Sequence, residues 1–180
     1  MTLDFFAQFR ENLARFPGRV AFQSISEAGR ETFTYEQIAG EVRKVSLLLE
    51  QSGVRPGDTV GILMVNHPRW GIAFLAGQSA GAVMVPLDIL HEKETLAGLI
   101  EHAGCRFLIV SRKLLSIWTE IRQLLREPLP FLVAEDACEG GNGWEQAPLP
   151  LVRREPDDEL MILYTSGTTG MPKGVVLTGR

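Results

Sequence analysis

The ten residues from Thr165 to Gly174, TSGTTGMPKG, hold three glycines, four hydroxyl side chains, one proline and one lysine. Each type supplies a piece of anion chemistry. Glycine lets the backbone take positive φ, so that successive N–H groups converge on one point and form a nest for an anion. The hydroxyls of Thr165, Ser166, Thr168 and Thr169 add donors whose direction adjusts by rotation. Lys173 brings a full positive charge on a flexible stem, and Pro172 stiffens the approach to it. The set suits a polyphosphate. A glycine-rich hairpin loop without a ligand is the competing reading, and the density of hydroxyls around a single lysine speaks against it.

A Walker A loop requires G-x-x-x-x-G-K-[ST] and opens a helix. Counted from Gly167, the second glycine falls on Pro172, and the residue after Lys173 is Gly174 rather than Ser or Thr. The residues that follow, Val175 to Thr178, are β-branched and strand-like. The apolar run Glu159–Thr165 precedes the loop. Two strands around a glycine-rich connection predict a hairpin, 159–165 paired with 174–178, and disfavour a P-loop ATPase.

Upstream, capped amphipathic helices alternate with buried apolar runs. Phe6, Phe9, Leu13 and Phe16 stand at helical spacing before Pro17-Gly18. VAFQSI and ETFT read as two short strands about a turn at 27–29. Thr34 and Gln37 form a capping box for a helix with Ile38, Val42, Val45 and Leu49 on one face, which Gly53 ends. Strands are expected near 59–64, 82–85, 106–110 and 130–133. Between them fall helices begun by Asn66 with Pro68, closed by Gly104, and begun by Ser111. Strand–helix–strand alternation with short joints means parallel pairing through right-handed crossovers. The expected fold class is therefore α/β: a parallel sheet with flanking helices, plus a C-terminal β-hairpin carrying the phosphate loop. Residues 134–158, with Gly140, Gly141, Gly143 and three prolines, read as a loop or linker.

The 180 residues are 45 % hydrophobic and 22 % charged, the balance of a globular chain rather than a disordered one. Eighteen basic against 22 acidic side chains leave a net charge of −4, which excludes the electrostatic footprint of a nucleic-acid binder. Cys105 and Cys138 are isolated, so neither a disulfide framework nor a zinc module is expected; a reducing, cytoplasmic setting fits. The uncharged stretch Trp70–Leu87 contains Gln78, Ser79, Pro86 and three glycines, and reads as a buried helix, a turn and a strand rather than a membrane span. His67, His91 and His102 have no partner at ligand spacing and are assigned structural or solvent roles; no metal ligands are assigned. Asp157-Asp158-Glu159 is taken as a solvated turn, Arg153-Arg154 as surface, and Trp70, Trp118 and Trp144 as packing.

The run LYTSGTTGMPKGVVLT, Leu163 to Thr178, closely resembles the phosphate-loop signature of the AMP-forming adenylate synthetases, which include acyl-CoA synthetases, peptide-synthetase adenylation domains and luciferases. FTYEQIAGEVRKVSLLL, VRPGDTVGIL and GAVMVPLD occur upstream in that family's usual order, so the resemblance spans nearly the whole chain. It implies that Thr165, Ser166, Gly167, Thr168, Thr169, Gly170 and Lys173 contact ATP, with Lys173 acting in catalysis and Mg2+ on the phosphates. It implies further that a carboxylic acid is activated as an acyl-adenylate, and that the acyl group then passes to a thiol, that of CoA or of a carrier protein. The style of VPLDILHEKETLAGLIEHAGCRFLIV is nearer to the fatty-acyl members. The family follows L-T with a histidine, where this chain has Gly179-Arg180. The adenine pocket, acidic magnesium ligand, hinge and C-terminal domain lie downstream of that point in the family. Residues 1–180 are thus expected to form the N-terminal portion of such an enzyme, inactive alone. A non-catalytic phosphate-binding fragment is the alternative from another class.

Overall fold

The computed structural model describes residues 4–27, 29–139, 148–165 and 172–180. Helix α1, Phe5–Arg15, is capped by the Asp4 carboxylate accepting from the Ala7 amide, and it buries Phe6 and Phe9. Phe16 lies just past its end, at the surface. Strands β1, Val20–Ser26, and β2, Gly29–Thr34, form a separate antiparallel ribbon. The expected capping box is present: Gln37 donates its amide to Thr34 Oγ1 and accepts from the Thr34 amide through Oε1. Helix α2, Tyr35–Gln51, follows, with Ile38, Val42, Val45 and Leu49 all buried.

From there the chain lays down β3 (Thr59–Leu63), α3 (Pro68–Ser79), β4 (Val83–Pro86), α4 (Lys93–His102) and β5 (Phe107–Val110). A 3-10 turn at Arg112–Leu114 runs into α5 (Leu115–Leu124), and β6 (Phe131–Val133), α6 (Ala134–Glu139), β7 (Glu159–Thr165) and β8 (Lys173–Thr178) complete the order. Strands β3 to β8 make one six-stranded sheet in the order β6-β5-β3-β4-β7-β8. All neighbours pair in parallel except β7 and β8, which form an antiparallel hairpin. The four internal runs and the hairpin anticipated from sequence are therefore all present, and the sheet is mixed because of β8 alone.

Alternation along the strands explains the layers. Val60, Ile62, Met84, Phe107 and Ile109 point to the face covered by α1, α2, α3 and α6. Leu63, Val85, Leu108 and Val110 point to the face covered by α4 and α5. A strand buried on both faces has no polar face, hence the uninterrupted apolar runs. Helix α3 comes close to the sheet at Gly77, where Met84 Sδ leaves no room for a methyl group. Strand β8 differs: Val175, Val176 and Leu177 are all exposed, so neither of its faces is covered by the described residues.

Three boundaries depart from the sequence reading. The N-cap of α3 is His67, not Asn66; its Nδ1 accepts from the Arg69 amide and Pro68 is the first helical residue. Ser111 precedes the 3-10 turn and makes no side-chain cap bond. The segment read as a linker from 134 begins instead with α6. Tertiary burial of Ala134, Ala137 and Cys138 favours the helix, and Arg112 ties it down by donating to Glu135, Asp136 and Glu139.

Candidate phosphate-binding site

Because β3, β4, β5 and β7 run parallel, their carboxyl ends share one edge of the sheet, where open α/β sheets place their ligands. Strand β7 is anchored in the core by Leu160 and Met161, which are buried, and by Gln78, whose side-chain amide donates to the Leu160 carbonyl at 2.8 Å. It emerges at that edge with Ile162, Leu163 and Tyr164 half-buried and Thr165 exposed. In the β7–β8 register Thr165 lies opposite Lys173, and Tyr164 opposite Gly174. The threonine and the lysine that begin and end the proposed phosphate contacts are thus the last cross-strand pair before the loop. Ser166, Gly167, Thr168, Thr169 and Gly170 lie outside the described residues.

Tyr164 was missed by the sequence reading. Its hydroxyl is 2.8 Å from His102 Nδ1 at the end of α4 and 3.5 Å from the Leu99 carbonyl. The two rings meet edge to face, with centroids 5.8 Å apart. Burial, and to a smaller degree Cys105, push the phenol above its ordinary range, so the hydroxyl keeps its proton at neutral pH. Sixty-two positions separate the two residues, and no local spacing rule could have joined them. A cavity of about 210 Å³ adjoins Tyr164, with Asp88, His91 and Leu99 in its wall. A second cavity, about 980 Å³, is an aromatic groove between α1, β1 and α3; neither Thr165 nor Lys173 lines it.

The remaining candidates fall mostly where they were assigned. His67 caps α3 and reaches Glu31 at 3.1 Å through Nε2, and His91 sits in the turn after β4, its amide bonded to the Asp88 carbonyl. Asp158 accepts from the Glu155 amide within a turn, and Asp157 meets Arg180 at 2.8 Å. Trp118 is buried, Trp70 stacks on Phe74, and Trp144 is outside the described residues. Arg154 is the exception. It is half-buried and donates to the Ala82 and Glu159 carbonyls at 2.6 and 2.9 Å. Both cysteine thiols are free; burial pushes Cys105 up to about 12 and raises Cys138 as well, which keeps both protonated. Among the described residues no three His, Cys, Asp or Glu side chains gather into a metal cage, and no helix is long and apolar enough to cross a membrane.

The sequence matches the AMP-binding enzyme family over residues 9–180. The chain belongs to that family. Its members are adenylate-forming ligases, as the phosphate-loop resemblance implied, and the fold observed here is the one that resemblance called for. Gramicidin S synthase 2 of Aneurinibacillus migulanus is 28 % identical over 173 residues, covering 96 % of this chain and 4 % of the synthase. The 4-coumarate–CoA ligase 2 of Nicotiana tabacum is 29 % identical over 183 residues, 94 % of this chain and 32 % of the ligase. Among solved structures, the N-terminal subdomain of Klebsiella oxytoca NpsA, in complex with 3-hydroxybenzoyl-AMSN, superimposes with a TM-score of 0.79 at 26 % identity, over 99 % of this chain and 42 % of that one. The chain thus spans less than half the length of these relatives. Their names divide between a gramicidin synthase and a CoA ligase, and do not single out the fatty-acyl members.

Proposed function

We propose that this chain is the N-terminal portion of a ligase that activates a carboxylic acid, of fatty-acyl type, with ATP and passes the acyl group to CoA. The observation that supports this most is the pairing of Thr165 with Lys173 at the carboxyl end of β7, around the TSGTTGMPK run, in a chain of the AMP-binding enzyme family. In this reading the hydroxyls and backbone N–H groups of Thr165, Ser166, Gly167, Thr168, Thr169 and Gly170 hold the β- and γ-phosphates. A carboxylate oxygen attacks the α-phosphorus and forms a mixed anhydride. The bond from that phosphorus to the bridging oxygen breaks, and pyrophosphate departs with the electron pair. Negative charge grows on the departing group, and Lys173 and the fixed donors lower the barrier by meeting it there.

Magnesium, expected alongside ATP, meets no carboxylate cage among the described residues, and none of them is assigned to it. The thiol of CoA then attacks the acyl carbon and releases AMP. Similarity to a gramicidin synthase favours a second reading of the acceptor, a carrier-protein thiol. The test is acid-dependent exchange of labelled pyrophosphate into ATP by the full-length protein, across short, aromatic, long-chain and amino acids, followed by offering CoA and a carrier protein as acceptors. Exchange with no carboxylic acid would refute the reading. Exchange confined to amino acids would replace CoA by the carrier.

A further inference from the structure

Among the described residues only β7 packs beside β8. Every residue from Lys173 to Leu177 is exposed, so the strand takes its position from β7 alone among the described residues. On the α4 side of the sheet, Tyr164 is the last β7 side chain before the loop. It reaches both stems. Along its own strand it precedes Thr165; across the ladder it lies opposite Gly174, the residue after Lys173. A methyl group at Gly174 would stand 3.2 Å from both Ile162 Cγ2 and Tyr164 Cε1 and 3.4 Å from Tyr164 Cζ, so the ring, together with Ile162, fills the space beside that residue. The far end of the ring is held by His102, itself fixed at the terminus of a ten-residue helix whose Leu96, Leu99 and Ile100 are buried.

We propose that Tyr164 and His102 are positioning residues for Lys173: the hydroxyl–imidazole bond locks the ring, and the ring, lying on Gly174, sets where β8 delivers the lysine. The inference rests on the adenylation reading above. The bond survives a change in the histidine's charge, because the phenol donates to a neutral Nδ1 and accepts from a protonated one, with the Leu99 carbonyl as its alternative acceptor.

In the full-length protein, Tyr164→Phe keeps the ring and removes only the hydroxyl. It is expected to lower kcat of acid-dependent pyrophosphate exchange about three- to tenfold, the range of one neutral hydrogen bond, with KM for ATP within about twofold. Thioester formation from preformed acyl-adenylate stays within about twofold, since no pyrophosphate takes part. His102→Leu gives the same split, His102→Gln restores most of the rate, and the Tyr164→Phe/His102→Leu double variant is no worse than either single one, as expected of a single unit. Gly174→Ala, which crowds the ring and Ile162 by a few tenths of an ångström, reproduces the loss without touching the hydroxyl. Exchange unchanged by Tyr164→Phe, equal damage to both half-reactions, or additive losses in the double variant would overturn the proposal. Absence of exchange in the unsubstituted protein would instead overturn the adenylation reading, and this inference with it.

Discussion

Arg154→Ala should destabilise the chain by about 2–4 kcal/mol. The guanidinium of Arg154 bridges two carbonyls that begin different strands, Ala82 just before β4 and Glu159 at the start of β7. The segment around it is pinned as well: Ser79 donates its hydroxyl to the Pro150 carbonyl and its own carbonyl accepts from the Val152 amide. Each bond from a charged donor contributes about 1.5–3 kcal/mol net. Against two of them stands the cost of half-burying the cation, visible as a guanidinium pKa pulled below its usual value, with burial the main cause and Asp158 and Asp4 opposing it. The total therefore falls below the simple sum. Lysine at 154 keeps the charge but bridges only one carbonyl, so Arg154→Lys should lose about half as much. Urea unfolding of the 180-residue chain, followed by circular dichroism, is the assay; at about 2 kcal/mol per molar the alanine variant's midpoint should fall by about 1–2 M with unchanged slope. Arg153→Ala is the control, since that side chain is 93 % exposed and its contact with Glu155 is a loose 3.9 Å. A midpoint within about 0.3 M of the unsubstituted chain for Arg154→Ala, or full stability in the lysine variant, would refute the two-carbonyl bridge.

Lys173→Ala in the full-length protein should slow adenylation by about ten- to two-hundredfold, the equivalent of about 1.5–3 kcal/mol, and Thr168→Ala by the smaller cost of one neutral donor, about 0.5–1.5 kcal/mol. Both should spare thioester formation from preformed acyl-adenylate, and measuring the half-reactions separately decides it. The 180-residue chain alone should exchange no pyrophosphate into ATP above a boiled control, because the loop supplies one wall of a nucleotide site; exchange by the purified chain would contradict this. Stability should fall as pH rises above 9. The unfolded Cys105 thiol loses its proton near 9.0 while the folded one keeps it to about 12, and Cys138 is shifted the same way. Urea midpoints between pH 8 and 10 check this, and Cys105→Ala should flatten part of the slope.

What the sequence disclosed follows from how local its signals are. A capping box, a 3.6-residue apolar face and a run buried on both faces are each written within a dozen residues, so α2, β3, β4 and β5 were legible, as was the hairpin around TSGTTGMPK. Helix α6 was not, because its reason to exist is tertiary: Ala137 and Cys138 bury against α2, and Arg112 reaches across to it. Arg154 was hidden for the same reason, since a charged pair in a polar segment looks like surface until Ala82 and Glu159 are placed beside it. Within the site the residue types of the loop suggest a chemistry one by one. Its support could not be read in this way. Nothing about His102, two positions before the glycine that closes α4, hints that Tyr164 stands next to it.

The strand order also bears on how the chain reaches this structure. The pairs β3–β4 and β5–β6 form between neighbours in sequence, each across a single helix. The pair β4–β7 does not: after β4 the polypeptide crosses back to build β5 and β6 on the far side of β3, and only then returns with β7. The outer edge of β4 therefore stays unpaired until α4, β5, α5, β6 and α6 have been laid down, and closing it requires ordering a long intervening stretch. The buried anchors Leu160 and Met161 are the last in sequence to join this core. A chain that has its central strands but not its hairpin would offer an apolar edge to any other nascent strand.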